Sequence, residues 1–149
     1  MINDLRKLYA RDLAKLRTEV EAYGSAEKLW SVHKGISNSG GNLCLHLIGN
    51  LKTYIGNGIG GTPYVRRRDH EFGARNVPVA ELLREIDETI NVVDDALAGL
   101  DPERLKDEFP VIIWEAPTGM TFTLLHLLTH LNYHLGQVNY HRRLVDSRG

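Results

Sequence analysis

Apolar residues recur at steps of three and four along most of this chain, and the pattern divides into four long stretches. In residues 3–23, Leu5, Leu8, Tyr9, Leu13, Leu16 and Val20 share one face, with Arg6, Lys7, Arg11 and Lys15 outside it, which predicts a first helix. Gly24 stops it, and Ser25 is placed to cap a short second piece, AEKLWSV, carrying the packing residues Leu29 and Trp30. KGISNSGGN is a loop by composition. The next long helix is expected to begin at 39–42 and to reach residue 54, with Leu43, Leu47, Leu51 and Tyr54 facing the core. Residues 56–77 read as a long glycine-rich connection with a basic run, a length that points to a functional or mobile loop. Pro78 opens the third long helix, with Asn76 as candidate cap and Gly99 near its end. Its stripe is Val79, Leu82, Leu83, Ile86, Ile90, Val93, Leu97 and Leu100, and its acidic residues form the wet face. DPERLKDEF adds one turn, and 111–114 is a β-like run expected to lie extended across the end of the helices. The fourth long helix is residues 123–141.

Four main helices and one long crossover define an all-α fold, a four-helix bundle of up-down character forming a single domain over 1–149. A net charge of -1 gives no electrostatic footprint for nucleic acid or for an anionic membrane. The N-terminus MINDLRKLYARDL is charged from its fourth residue, and no apolar run approaches the roughly 20 residues that span a bilayer. One cysteine, Cys44, excludes an internal disulfide framework. A cytoplasmic protein with neither nucleic-acid nor membrane partners is the expectation.

The last stretch adds chemistry to this frame. At about 100° per residue, Thr123, His126, His130, His134, Gln137 and His141 share an arc of roughly 80°. Leu124, Leu127, Leu128, Leu131, Leu135 and Val138 lie beside them on the core face. A single histidine on such a face is usually a hydrogen-bonded core residue. Four are different, because each buried imidazole costs free energy unless it finds a partner. Histidines four apart lie one above the other and can share a metal ion. Spacing alone allows either His126 with His130 or His130 with His134. A third ligand is offered by His46 on the second long helix, with Asn42, Gly49 and Asn50 one turn away on the same side. Cys44 points nearly opposite to His46 and is not counted. Three nitrogens from two helices leave a metal with an open position. Neutral imidazole suits Zn, Ni, Fe and Cu; the cofactor expected here is a divalent ion, Zn or Ni first and Fe or Mn after them. No HExxH, GxSxG, Walker or dinucleotide signature is present. Arg66, Arg67 and Arg68 are either a solvated loop or forks for the carboxylates of an anionic substrate. His70, in the same loop, receives no role.

LLTHLNYHLGQVNYHRR resembles the last-helix motif of the DinB/YfiT-like superfamily, HxxxHxGQ. NSGGNLCLHLIGNLKTYIG and the following GGTPYVRRRDHEF resemble the second helix and loop of the DUF1572 branch of that superfamily. The resemblance implies a DinB-like four-helix bundle, commonly dimeric, with a three-histidine metal site on His46, His130 and His134. Leu135 stands where an arginine is common. His126 then becomes a pocket residue one turn before the site, and Gln137, Asn42 and Asn50 become candidates to orient ligands. Relatives include metal-dependent thiol S-transferases and isomerases that use low-molecular-weight thiols such as bacillithiol or mycothiol. The implied activity is thiol S-transfer from a small thiol to an electrophile, with Arg66 to Arg68 holding the thiol's carboxylates. The competing readings are a metal-dependent hydrolase on the same site and a non-catalytic, metal-stabilised dimeric stress protein. Separately, Gly136 between Tyr133 and Tyr140 on an outer face points to a homodimer contact.

Overall fold

The computed structural model of the chain describes residues 1–146; the last positions of the expected domain, 147–149, lie outside the described residues. Helix α1 (Ile2–Glu21) buries Leu5, Tyr9, Leu13, Leu16 and Val20, the face its periodicity announces. Ser25 caps α2 (Ala26–Leu29) by accepting from the Lys28 N–H. α3 (Gly40–Leu51) opens with a reciprocal cap, in which the Ser39 side chain accepts from Asn42 N–H and the Asn42 side chain accepts from Ser39 N–H. Every residue of α3 is buried, so the stripe expected from its leucines is only part of what the fold covers. The helix widens after Leu51 into a π-helical segment (Lys52–Asn57), with Gly58 N–H bonded to Thr53 O and Gly60 N–H to Ile55 O. Next come α4 (Arg68–Gly73), α5 (Val79–Ala98), a 3₁₀ turn (Pro102–Lys106) capped by Asp101, and α6 (Met120–Asp146).

Four long helices, α1, α3, α5 and α6, share one apolar cluster. Paired contacts give their directions. Arg6 meets Asp94 and Arg17 meets Asp87, so α1 and α5 are antiparallel. The Tyr9 hydroxyl donates to Leu124 O at 2.6 Å and that of Tyr23 lies 3.2 Å from Val138 O, so α1 and α6 are parallel. Gly40 lies beside His141 and His46 beside His130, so α3 and α6 are antiparallel. Lys52 meets Glu88, Gly56 lies against Val92 and Gly60 against Ala96, so α3 with its π-helical extension runs parallel to α5. The up-down alternation expected from the sequence is therefore interrupted between α3 and α5. Two parallel neighbours need a connection that travels back along their length, roughly 30 Å for a 20-residue helix. Residues 58–78 make that return, which is why the connection is long.

Three local expectations are corrected. The 56–77 connection is not all loop, because α4 forms within it and docks on α3. Asn76 does not cap α5; Pro78 holds the cap position, with no side-chain hydrogen bond. The run at 111–114 does alternate, with Val111 and Ile113 half-buried and Ile112 and Trp114 exposed, yet no strand forms among the described residues. A second strand is missing; the backbone pairing nearby is one antiparallel bridge between Glu108 and Gly119. No described helix is long and apolar enough to cross a membrane.

His141, the last histidine of the α6 column, is fully engaged in the core. Its Nε2–H donates to Ser31 O at 3.0 Å, leaving Nδ1 to accept the Tyr23 hydroxyl at 2.6 Å. A Cβ on Gly40 would overlap that hydroxyl, so glycine at the start of α3 is required by this close approach.

Candidate metal centre

His130 and His134 stand one turn apart on α6, and antiparallel α3 brings His46 against them. One nitrogen from each imidazole lies within 4.8 Å of the others, and no further His, Cys, Asp or Glu joins the group among the described residues. The rings meet edge to face, at 73° between His46 and His130, 90° between His46 and His134, and 85° between His130 and His134.

Hydrogen bonds fix two of the three tautomers. Glu71 Oε1 accepts from His46 Nδ1–H at 3.1 Å, and Gln137 Oε1 accepts from His134 Nδ1–H at 2.7 Å. Each ring is left with a bare Nε2, the form that binds a metal. His46 Nε2 and His130 Nε2 face each other at 3.2 Å, a separation at which two lone pairs repel unless a cation lies between them. A proton on His130 Nε2 serves in the metal-free protein, and a metal ion would take its place. Burial, reinforced by the neighbouring His134, His46, His126 and Arg66, pulls His130 down from 6.5 to about 4. Burial also lowers His134, against the hydrogen bond it donates to Gln137, which raises it. Both rings are therefore neutral at pH 7, as ligation requires. The donor set fits a divalent ion.

Behind His46 lies a residue that the sequence reading missed. The return stroke after α3 carries Glu71, on α4, into the core at 3% exposure. Its Oε2 accepts from Arg66 Nε at 2.9 Å and its Oε1 from Arg66 Nη2 at 3.1 Å, beside the bond from His46. Burial raises the Glu71 pKa, but the hydrogen bonds from His46 and Arg66 outweigh it and hold the carboxyl below its ordinary value. A Cβ on Gly49 would overlap Glu71 Oε2, so α3 offers the carboxylate a slot only as glycine. Asn42 anchors the same turn, donating from Nδ2 to Glu71 O at 3.0 Å and to Ala74 O at 2.8 Å.

Residues 3–148 match a family described as a protein of unknown function, DUF1572. The chain belongs to that family. A search of the curated proteins found no match, and a search of the solved structures found none.

In this DUF1572 protein the other residues singled out from sequence divide clearly. Gln137 orients a histidine directly. Asn42 acts on α4 and hydrogen-bonds to none of the three rings, and Asn50, buried one turn beyond His46, makes no hydrogen bond to them either. His126 packs edge-on against Trp114, 4.7 Å between ring centres, so it forms a wall one turn from the site. Arg66 is not free for a substrate carboxylate, because its guanidinium already holds Glu71. Arg67 and Arg68 are exposed, Arg68 lying 5.6 Å over the Phe72 ring. His70 is half-buried on α4. Cys44 is buried outside the histidine group, and burial pushes its thiol up. A groove of about 580 Å³ runs between residues 35–38 and α6, lined by Ile36, Leu43, Tyr133, Gly136, Gln137 and Tyr140. Gln137 thus belongs both to this groove and to the hydrogen bond on His134.

Proposed function

We propose that this protein is a divalent-metal-dependent enzyme of the thiol S-transferase type, built as a single-domain DinB-like four-helix bundle, with His46, His130 and His134 as metal ligands. The observation that carries the reading is the convergence of three imidazoles with no fourth protein ligand beside them among the described residues. Structural zinc is normally closed by four protein ligands, whereas a catalytic centre keeps a position for water or substrate. This favours an enzyme over a metal that only stabilises the fold. Hydrolysis would call for a base beside a metal-bound water, yet the carboxylate behind the site, Glu71, is already committed to His46 and Arg66. A bound metal would lower the pKa of a coordinated thiol and present the thiolate. Of the three loop arginines, Arg67 and Arg68 are the ones left for the carboxylates of a small thiol. The crossover between parallel α3 and α5 supports the DinB-like bundle, and the single buried Cys44 suits a reducing, cytoplasmic setting.

The direct test is conjugation. Metal-stripped protein, reloaded separately with Zn, Ni, Fe(II) or Mn(II), is offered a panel of low-molecular-weight thiols with a fluorogenic electrophile. Metal-dependent conjugation that a chelator abolishes is the expected result. Hydrolysis of an ester panel without any thiol conjugation would replace this reading with the hydrolase.

We also propose a homodimer formed through the outer face of α6. Tyr133 and Tyr140 are 66% and 69% exposed and flank Gly136 along the 580 Å³ groove, an apolar surface that a second copy would cover. Light scattering should give twice the 16.8 kDa chain mass, and Tyr140→Glu should return it to the monomer value. A monomeric wild type at micromolar concentration would remove the dimer.

A further inference from the structure

We propose that Glu71, clamped by Arg66 in the slot that Gly49 provides, is a positioning residue that sets the metal affinity of the three-histidine centre. This inference rests on the metal reading above. Its basis is where the chain invests buried charge. Glu71 and Arg66 have side chains only 4% and 11% exposed, although both lie on the connection between α3 and α5, where water would solvate them at no cost. A buried ion pair is weak evidence for stability, since desolvation offsets much of the attraction. What the burial does achieve is specific. The carboxylate holds the His46 ring by Nδ1–H and fixes Nε2 as the metal-facing nitrogen. Arg66 grips both carboxylate oxygens, its Nη2 lying 3.3 Å from His46 Nδ1 as well, so the acceptor is aimed at the ring and is not among the converging metal donors.

Charge bookkeeping gives the arrangement a second consequence. Glu71 and Arg66 cancel, and neutral imidazoles add nothing, so the full positive charge of a bound divalent ion remains at the open position. That position suits an anionic donor such as a thiolate. Asn42 extends the device by tying the Glu71 and Ala74 carbonyls to the first turn of α3. Docking of α4 and completion of the metal site are then one event.

The test is a competition titration with a chromogenic chelator, using Zn and Co(II), on wild type, Glu71→Ala, Glu71→Gln and Gly49→Ala. Circular dichroism and the Tm of each metal-free protein report the fold independently. Glu71→Ala should weaken metal binding by about 10- to 100-fold, the usual size of such outer-ligand effects, with Glu71→Gln between it and wild type. The Co(II) visible spectrum should change as His46 loses its fixed orientation. A folded Glu71→Ala that binds within about threefold of wild type would overturn the inference while leaving the metal reading intact. A wild type that takes up no metal would overturn both. If Glu71→Ala does not fold, Glu71→Gln supplies the same comparison, because it fills the slot beside Gly49 without the negative charge.

Discussion

His130→Ala should empty the metal centre. Plasma mass spectrometry on untagged wild-type protein should find about one divalent ion per chain, and the variant should hold none after the same dialysis. His130 is the ring whose Nε2 meets that of His46 at 3.2 Å, so its loss leaves the ion only His46 and His134 of the converging group. The affinity lost should exceed the 10- to 100-fold typical of outer-ligand changes, because a direct bond is removed. A thermal readout follows by mass action. Metal at one hundred times its Kd adds about 2.7 kcal/mol to wild-type stability, about 5–10 °C for a chain of this size, and the variant should show no such shift. The fold itself should survive, since His130 is only half-buried and its Nδ1 has no hydrogen-bond partner to lose. His126→Ala is the control that decides between the two HxxxH pairs. It should keep its metal, because His126 stands against Trp114 and not in the converging group. Metal bound equally by wild type and His130→Ala would defeat the assignment.

The histidine column was legible in the sequence because helical periodicity is local, although spacing left open which adjacent pair joins His46. Spacing by four places His130 under His134 whatever surrounds them, and one more histidine on a second apolar helix suffices to suggest the third donor. The Ser39 cap and the α1 face were legible for the same reason. Glu71 was not. Its role depends on α3 and α5 being parallel, which forces residues 58–78 to travel back past the middle of α3. No property of RRRDHEFG by itself says that this stretch will dock beside Gly49. Arg66 was misread from the same cause: a basic run in a loop looks like a substrate clamp until its carboxylate partner is seen to come from the next turn of its own chain. The available signal was weak, a run without Gly or Pro from 64 to 72 and an acidic residue five positions after an arginine. At 111–114 the local pattern was real and still misled, because alternation specifies a strand only where a second strand is available to pair.

Acid should weaken the metal-free protein well before its carboxylates protonate. His130, His134 and His141 all have pKa values below the ordinary histidine value, with burial the leading cause in each. An unfolded chain takes up protons on these rings as pH falls through 6.5, while the native protein does not, so the unfolded state binds more protons and stability drops with pH. For His130 the window runs from 6.5 to about 4. A displacement of that size corresponds to at most about 3 kcal/mol, and solvent at the half-buried ring reduces it to about 2. His134 and His141 act in the same direction. Glu71 continues the trend below it: its depressed pKa contributes stability above the ordinary carboxyl value that is lost as pH falls further. The Tm of chelator-treated protein should therefore fall by several degrees between pH 7 and pH 5, and fall again toward pH 4. His130→Leu should flatten the first of these declines, since leucine fills the half-buried position and offers the unfolded chain no site for a proton. A Tm that stays level from pH 7 to pH 5 in the metal-free wild type would mean that these rings are charged as readily in the fold as in water. Burial would then not be what keeps these donors uncharged below pH 7.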